Sequence, residues 1–191
     1  HKIYPNYKAN RDAPPEELSR QFPYFEPLVT AYGLSSIRRP GFEADDIIGT
    51  LAKKGQQKGL DIVIVSGDKD MMQLISPHIY MLDTMKNKKF MDKEVAEKFG
   101  VQADKVVEVM GLMGDSSDHI PGVKGVGPKT AAELIRKFGS IESLYKRIDE
   151  VEKKNIKEKL EQDKENAFMS RKLVSIDTEM DVVFAADSSS G

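Results

Sequence analysis

Apolar positions recur at helical spacing over residues 16–34 (EELSRQFPYFEPLVTAYGL), with Gly33 as a C-terminal stop. The stretch before them, 1–15, is polar and rich in Pro and Asn, which predicts an extended loop. A second helix is predicted over 45–58 (DDIIGTLAKKGQQK), stopped by Gly59. Residues 60–66 (LDIVIVS) are β-branched and almost wholly apolar, which predicts a strand buried on both faces of a parallel sheet. There follow a short helix over 71–75, a strand over 79–83, a basic turn over 86–89 (KNKK) and a helix from Asp92 to Phe99. Such alternation indicates an α/β layer structure. Beyond about residue 102 strand signals stop. Helices are predicted over 103–113, 128–138 and 140–148, then a charged pair across 150–175, and 185–191 (AADSSSG) reads as a frayed tail. No internal repeat interrupts this order. The expected organisation is an N-terminally truncated α/β part, 1–102, followed by a helical part, 103–191.

Composition narrows the function classes without choosing one. The 191 residues are 39% hydrophobic and 31% charged with a net charge of −2, so a nucleic-acid partner has to show in local patches. Cysteine is absent, which excludes disulfides and zinc–thiolate sites and fits a reducing compartment. No apolar run approaches bilayer length and no signal peptide is evident, so a cytoplasmic monomer is the default expectation. The chain opens on His1 rather than Met, so it is expected to be part of a longer protein.

Three acidic clusters carry candidate chemistry. Glu43, Asp45 and Asp46 precede or open the helix over 45–58; Asp68 and Asp70 follow the 60–66 strand; Asp115 and Asp118 follow the helix over 103–113. Taken alone, the first cluster reads as a helix cap, the second as a helix cap no less than as a site, and the third as a polar loop. Together they can supply the hard oxygen ligands that Mg²⁺ prefers. In two-metal sites the ions stand roughly 3.5–4 Å apart and clamp both oxygens of an in-line displacement. With three scattered histidines a zinc hydrolase is disfavoured, and phosphodiester hydrolysis is the implied chemistry.

The most specific local motif is PGVKGVGPKTAA, residues 121–132. Gly122, Gly125 and Gly127 are expected to turn backbone N–H groups outward, and the next helix adds its own free donors. Lys124, Lys129 and Arg136 supply charge for phosphates, while Val123 and Val126 pack the turn inward. A plain glycine-rich turn is the simpler alternative. Between two helices, at about 108–138, this spacing looks like a helix–hairpin–helix.

YKANR (7–11), PGFEADDIIGTLAKK (40–54), IVSGDKDMMQL (64–74) and GLMGDSSDHIPGVKGVGPKTAAELI (111–135) together resemble the 5′-nuclease (flap endonuclease) family. The branch they resemble most is the 5′→3′ exonuclease domain of bacterial DNA polymerase I. The resemblance implies a PIN-like parallel sheet flanked by helices, followed by a helical region with a helix–three-turn–helix. It implies Mg²⁺ as two ions, with Mn²⁺ as a substitute: Glu43, Asp45 and Asp46 around the first, Asp68 near both, Asp70, Asp115 and Asp118 at the second. It places Tyr7, Lys8 and Arg11 at the base of a helical arch, Lys8 on the scissile phosphate and Tyr7 stacking on a base. It makes the hairpin, with Lys129 and Thr130, a duplex grip that holds K⁺ through backbone carbonyls. The implied partners are DNA with a 5′ flap or 5′ end, RNA primer–DNA junctions and a covalently linked polymerase domain.

One departure matters. Family members open with two further strands, each ending in a metal-ligating Asp, followed by a Phe-Arg pair ahead of the position of His1. Without them the first metal site is expected to be incomplete and the sheet to lack inner strands. Two rivals therefore stand beside the nuclease: a DNA-binding module that holds without cutting, and a scaffold using the charged helices over 150–175.

Overall fold

The computed structural model describes residues 3–182. Its sheet has three strands, β1 (Ile62–Val65), β2 (Ile79–Asp83) and β3 (Lys88–Phe90), in that spatial order. β1 and β2 run parallel, with Ile62 opposite Ile79, whereas β2 and β3 are antiparallel, with Met81 opposite Phe90. The sheet is therefore mixed rather than purely parallel. β3 begins inside the segment predicted as a basic turn. Asp83 closes that turn earlier: its buried carboxylate accepts the Lys86 backbone N–H at 3.0 Å and the Lys86 ammonium at 2.8 Å. Asn87 then takes a left-handed conformation, which Asn tolerates better than most residues.

β1 also departs from expectation. Ile64 is buried, but Val63 and Val65 are 44% and 62% exposed. Among the described residues β1 pairs with β2 alone, so its other edge is open.

The single helix predicted over 16–34 is two, α1 (Glu16–Ser19) and α2 (Phe22–Ala31). Pro23 lies in the first turn of α2, where its missing N–H leaves no hydrogen bond unmade, so it marks a new start. Neither helix buries a residue; Phe22, Tyr24, Phe25 and Leu28 stand in solvent.

α3 (Ala44–Gln57) packs beside β1, and α4 (Asp92–Phe99) follows β3 and stops at Gly100. The helical part comprises α5 (Val106–Met113), α6 (Pro128–Phe138), α7 (Ile141–Lys146), α8 (Lys154–Gln162) and α9 (Lys164–Val174). α5 is central: Val106, Val109, Met110 and Leu112 are fully buried. Gly111 lets α9 approach, since a Cβ there would lie 2.7 Å from that of Arg171. One apolar core runs from Ile64, Met71 and Met81 under the sheet to Ile135, Leu144 and Leu160 among the helices. After α9 an extended segment, 175–182, closes over α3 and buries Met180 and Val182 against Ile47. The tail predicted over 185–191 lies outside the described residues. Among the described residues no helix is long and apolar enough to cross a membrane.

Arg171 ties three helices, reaching Glu108 of α5 at 3.2 Å and Glu142 of α7 at 2.5 Å. Glu108 also accepts the Ile141 N–H at 2.7 Å. Arg171→Ala is expected to cost about 1–3 kcal/mol in urea unfolding, because it strands a half-buried carboxylate. A change below about 0.5 kcal/mol would show the network to be idle.

Candidate active site

The acids reach one region from three separate turns. β1 delivers the first: beyond Val65, Asp68 caps a 3₁₀ turn and accepts the Asp70 N–H at 3.0 Å, while its own N–H donates to Ser66 Oγ at 3.0 Å. The start of α3 delivers Glu43, Asp45 and Asp46. The end of α5 delivers the third: Gly114 turns the chain at φ 70°, and Asp115 and Ile120 pair their backbones. Asp115 then accepts the Ser117 N–H at 2.9 Å, and Asp118 is buried.

Two adjoining clefts result, of about 450 and 340 Å³. Glu43, Asp45 and Asp46 line the larger, Asp68 and Asp115 the smaller, and Asp70 and Asp118 line both. All seven candidate carboxylates therefore border one continuous acidic depression. They do not close on a point. Among the described residues no three acids or histidines stand close enough together to hold a metal ion directly.

Lysines and an arginine stand among the acids. Lys69 pairs with Asp115 at 2.7 Å and Arg11 with Asp118 at 2.5 Å; Lys8 pairs with Glu43 and lies 3.8 Å from Asp118. The 4–11 segment is pinned there by its backbone. The Lys8 N–H donates to the Asp118 carbonyl at 2.9 Å, and the Asn10 amide reaches the carbonyls of Ser116 and Ser117. Lys8 is held at φ 58°, a conformation a non-glycine residue adopts only under constraint. Its ammonium also faces the Tyr7 ring, 4.7 Å from the centroid.

Protonation follows this crowding. Burial, with the charges of Asp68 and Asp115, pushes the Asp70 carboxyl up to about 7 although Lys69 opposes it. Asp45 is raised by burial, then by Asp68 and Glu43. Burial works against the Lys8 ammonium, but hydrogen bonds to Glu43 and Tyr7 hold it above its ordinary value. Asp70 Oδ1 is buried with no hydrogen-bond partner. An orphaned buried acceptor among like charges suits a hydrated divalent cation, which keeps several waters and needs few direct carboxylates. In that sense the donor set fits Mg²⁺.

The hairpin between α5 and α6 differs in detail from the expected nest. Gly122 donates its N–H to the buried Ser170 hydroxyl at 2.9 Å, Val123 to the Leu112 carbonyl at 2.7 Å, and Lys124 to the Asp163 carboxylate at 2.8 Å. Those groups hold the loop on α5 and α9 and cannot face a phosphate. Among the described residues the N–H groups of Gly125, Gly127, Lys129 and Thr130 have no protein acceptor. The outward donors are thus at the second half of the loop and the start of α6. Val123 and Val126 are buried as expected. A further cleft of about 460 Å³ runs along α6, lined by Lys98, Lys129 and Arg136.

A family model for the N-terminal resolvase-like domain of 5′-3′ exonuclease matches residues 1–100, and one for its C-terminal SAM fold matches residues 101–190. The chain belongs to the 5′-3′ exonuclease family. DNA polymerase I of Bacillus caldotenax is 41% identical over 191 residues, covering 98% of this chain and 22% of that protein. The 5′-3′ exonuclease of Aquifex aeolicus is 37% identical over 181 residues, covering 95% of this chain and 61% of that one. The chain thus spans about a fifth of the polymerase and three fifths of the shorter exonuclease. Among solved structures, a bacteriophage T5 flap endonuclease in a pseudo-enzyme–product complex with DNA and metal ions is 26% identical. Its TM-score is 0.77, over 93% of this chain and 69% of that one. The T5 protein co-crystallised with metal ions aligns at a TM-score of 0.82 and 24% identity, over 93% and 71% of the two chains. The mixed sheet with flanking helices and a helical hairpin region is the fold of this family.

Within this chain, Tyr7, Lys8 and Arg11 stand at the rim of the acids, while the Gly122 and Lys124 amides are turned inward. Four further residues take part in the site. Lys69 neutralises Asp115, Lys98 lines the smaller acidic cleft and the α6 cleft alike, Asn10 staples the rim loop, and Ser66 fixes the Asp68 turn. Lys69 sits inside the quoted GDKD motif, so alternation of sign there was an available signal. Asn10 and Ser66 likewise sit inside the quoted YKANR and IVSGDKDMMQL segments, whereas Lys98 lies outside every motif.

Proposed function

We propose that this chain is the metal-binding and DNA-gripping part of a structure-specific 5′ nuclease that hydrolyses phosphodiesters near 5′ ends. One observation carries the reading: seven carboxylates from three turns border two clefts that share Asp70 and Asp118, with Lys8 and Arg11 fixed at their rim. Asp68, Asp70, Asp115 and Asp118 would hold one Mg²⁺, and Glu43 and Asp45 would contribute to a second. Bound there, the ions supply Lewis acidity and a water ionised near neutral pH. The chain's own residues do the rest. Lys8 and Arg11 present positive charge where a phosphate enters and where negative charge grows during in-line displacement. Tyr7, against Lys8, offers a ring on which a base can stack. The exposed amides of Gly125, Gly127, Lys129 and Thr130 receive backbone phosphates of the duplex without reading its sequence, and K⁺ at the hairpin would supplement them.

The likeness to DNA polymerase I supports 5′ flaps and RNA primer–DNA junctions as substrates, and a covalently linked polymerase as partner. The rival reading, binding without cutting, draws on the absence of a closed ligand group among the described residues. The two part on one assay, Mg²⁺-dependent cleavage of a 5′-flap substrate by the full-length protein. Asp68→Ala is expected to remove cleavage and leave flap affinity within about threefold, since metal ligands act on chemistry more than on docking. Undiminished cleavage by that variant would sink the assignment.

A further inference from the structure

Asp46 shares its turn with Glu43 and Asp45 but holds different partners. Its Oδ1 accepts the backbone N–H of Asp177 at 2.9 Å, across 131 positions of chain, and its Oδ2 accepts the N–H of Glu43 at 3.3 Å. Both oxygens thus accept from backbone donors, one in its own turn and one in a distant segment.

Asp177 lies in the extended segment 175–182, which crosses α3 along most of its length. Gln73 secures the start, donating to the Val174 carbonyl at 2.9 Å and accepting from the Ile176 N–H at 3.0 Å. The fully buried Thr50 holds the middle: its hydroxyl donates to the Asp177 carbonyl at 3.2 Å and accepts the Met180 N–H at 3.3 Å. Lys54, one turn on, donates to the carbonyls of Met180 and Val182 at 3.2 and 2.6 Å. Gly49 leaves the space for this crossing, because a Cβ there would stand 2.6 Å from Ile176 Cγ2 and 3.3 Å from Thr178 Cγ2.

We propose that segment 175–182 is the positioning element of the acidic turn 43–46. It acts through Asp46, whose carboxylate anchors the turn so that Glu43 and Asp45 face the bound metal. This rests on the nuclease reading for the metal's use, but not for the anchoring. The physical basis is that a carboxylate held by two backbone N–H groups is fixed in direction, and fixes the first turn of α3 with it.

Three variants of the full-length protein test it. Gly49→Ala crowds the segment off α3 without touching an acid, Asp177→Pro deletes the N–H that Asp46 receives, and Asp46→Asn alters the anchor. Each is expected to speed amide exchange over both 43–47 and 176–180, and to weaken Mg²⁺ binding measured calorimetrically with the metal alone by roughly tenfold. Each should also lower kcat at limiting Mg²⁺, recover it at high Mg²⁺, and leave KM for a 5′ flap within about twofold. Gly49→Ala combined with Asp46→Asn should be little worse than either alone, because both act on one contact. Loosened 176–180 exchange with unchanged Mg²⁺ affinity and kcat would overturn the proposal. So would weakened Mg²⁺ binding in Asp46→Asn alone, which would make Asp46 a ligand, or unchanged exchange in that variant. If the wild type cuts no flap but its Mg²⁺ affinity still depends on Gly49 and Asp177, the nuclease reading falls and the positioning role stands.

Discussion

Asp70→Asn is expected to remove flap cleavage and, in the same protein, to stabilise the metal-free fold above neutral pH. Both effects come from one group. The carboxyl is pushed from its ordinary 3.8 up to about 7 by burial and by Asp68 and Asp115, and its Oδ1 lacks a partner. A carboxyl that titrates higher in the folded chain favours folding while it is protonated. That contribution is complete below the ordinary value and is lost as pH rises through about 7. In EDTA the wild-type Tm should therefore fall between pH 4 and 7.5 by more than that of Asp70→Asn, whose neutral amide does not titrate. Mg²⁺ should raise the wild-type Tm above pH 6 and leave the variant almost unmoved, because ligand binding stabilises only the state that holds it. Cleavage should fall by on the order of a hundredfold, the upper end of the loss when even the groups that support a metal ligand are changed. Thermal scans across this pH range decide the matter. Equal pH slopes in the two proteins would show that Asp70 carries no folding penalty, and would weaken its place in the metal site. The trade of stability for function is what a buried cluster of like charges entails.

The same physics explains which parts of this site were legible in the sequence. β2, α3, α4, α6 and the α8–α9 pair each announce themselves locally, through periodicity or a glycine stop, and the structure places them within a residue or a few of the predicted bounds. The acids were legible as a set because all three clusters sit at element ends, where local sequence already signals a turn. β3 was not. Lys88, Lys89 and Phe90 show no run or alternation long enough to read; they form a strand because Asp83 closes the turn and β2 offers a free edge. The inward face of the hairpin was hidden for a related reason. The Gly122 and Lys124 amides find acceptors, Ser170 and Asp163, that lie 48 and 39 positions away. Periodicity over 16–34 was real, yet α1 and α2 bury nothing, since a pattern specifies a face and not the partner that covers it. Crossing of α3 by 175–182 was likewise invisible: its signal is a glycine and a threonine in α3 matched to a segment with no periodicity of its own.

Two glycines of the hairpin should separate folding from DNA grip. Gly122 sits at φ 59°, and a Cβ there would stand 2.6 Å from the Met113 carbonyl carbon and 2.7 Å from the Leu112 oxygen. Those are backbone atoms at the end of α5, and they cannot yield as a flexible side chain would. Left-handed strain adds about 1–2 kcal/mol to the overlap. Gly122→Ala is therefore expected to cost roughly 3 kcal/mol or more, a loss of this size being diagnostic of a named steric cause. For a chain of this length that is a Tm decrease on the order of 6–12 °C. Gly127 is the contrast. Its φ is −87°, and nothing lies within 4 Å of a Cβ built there. Gly127→Ala should fold with a Tm within about 2 °C of wild type. A methyl on the residue that itself bears one of the open N–H groups narrows the approach of a phosphate oxygen to it, so duplex affinity should drop by about tenfold. It should drop by a similar factor at every salt concentration, because no charge is removed. Lys129→Ala should instead lower the slope of log affinity against log salt by about 1. A fluorescence titration of flap DNA at several salt concentrations reads all three variants. Wild-type affinity in Gly127→Ala would mean that the duplex backbone does not approach this loop, and the grip would then have to be sought along the Lys98–Lys129–Arg136 cleft.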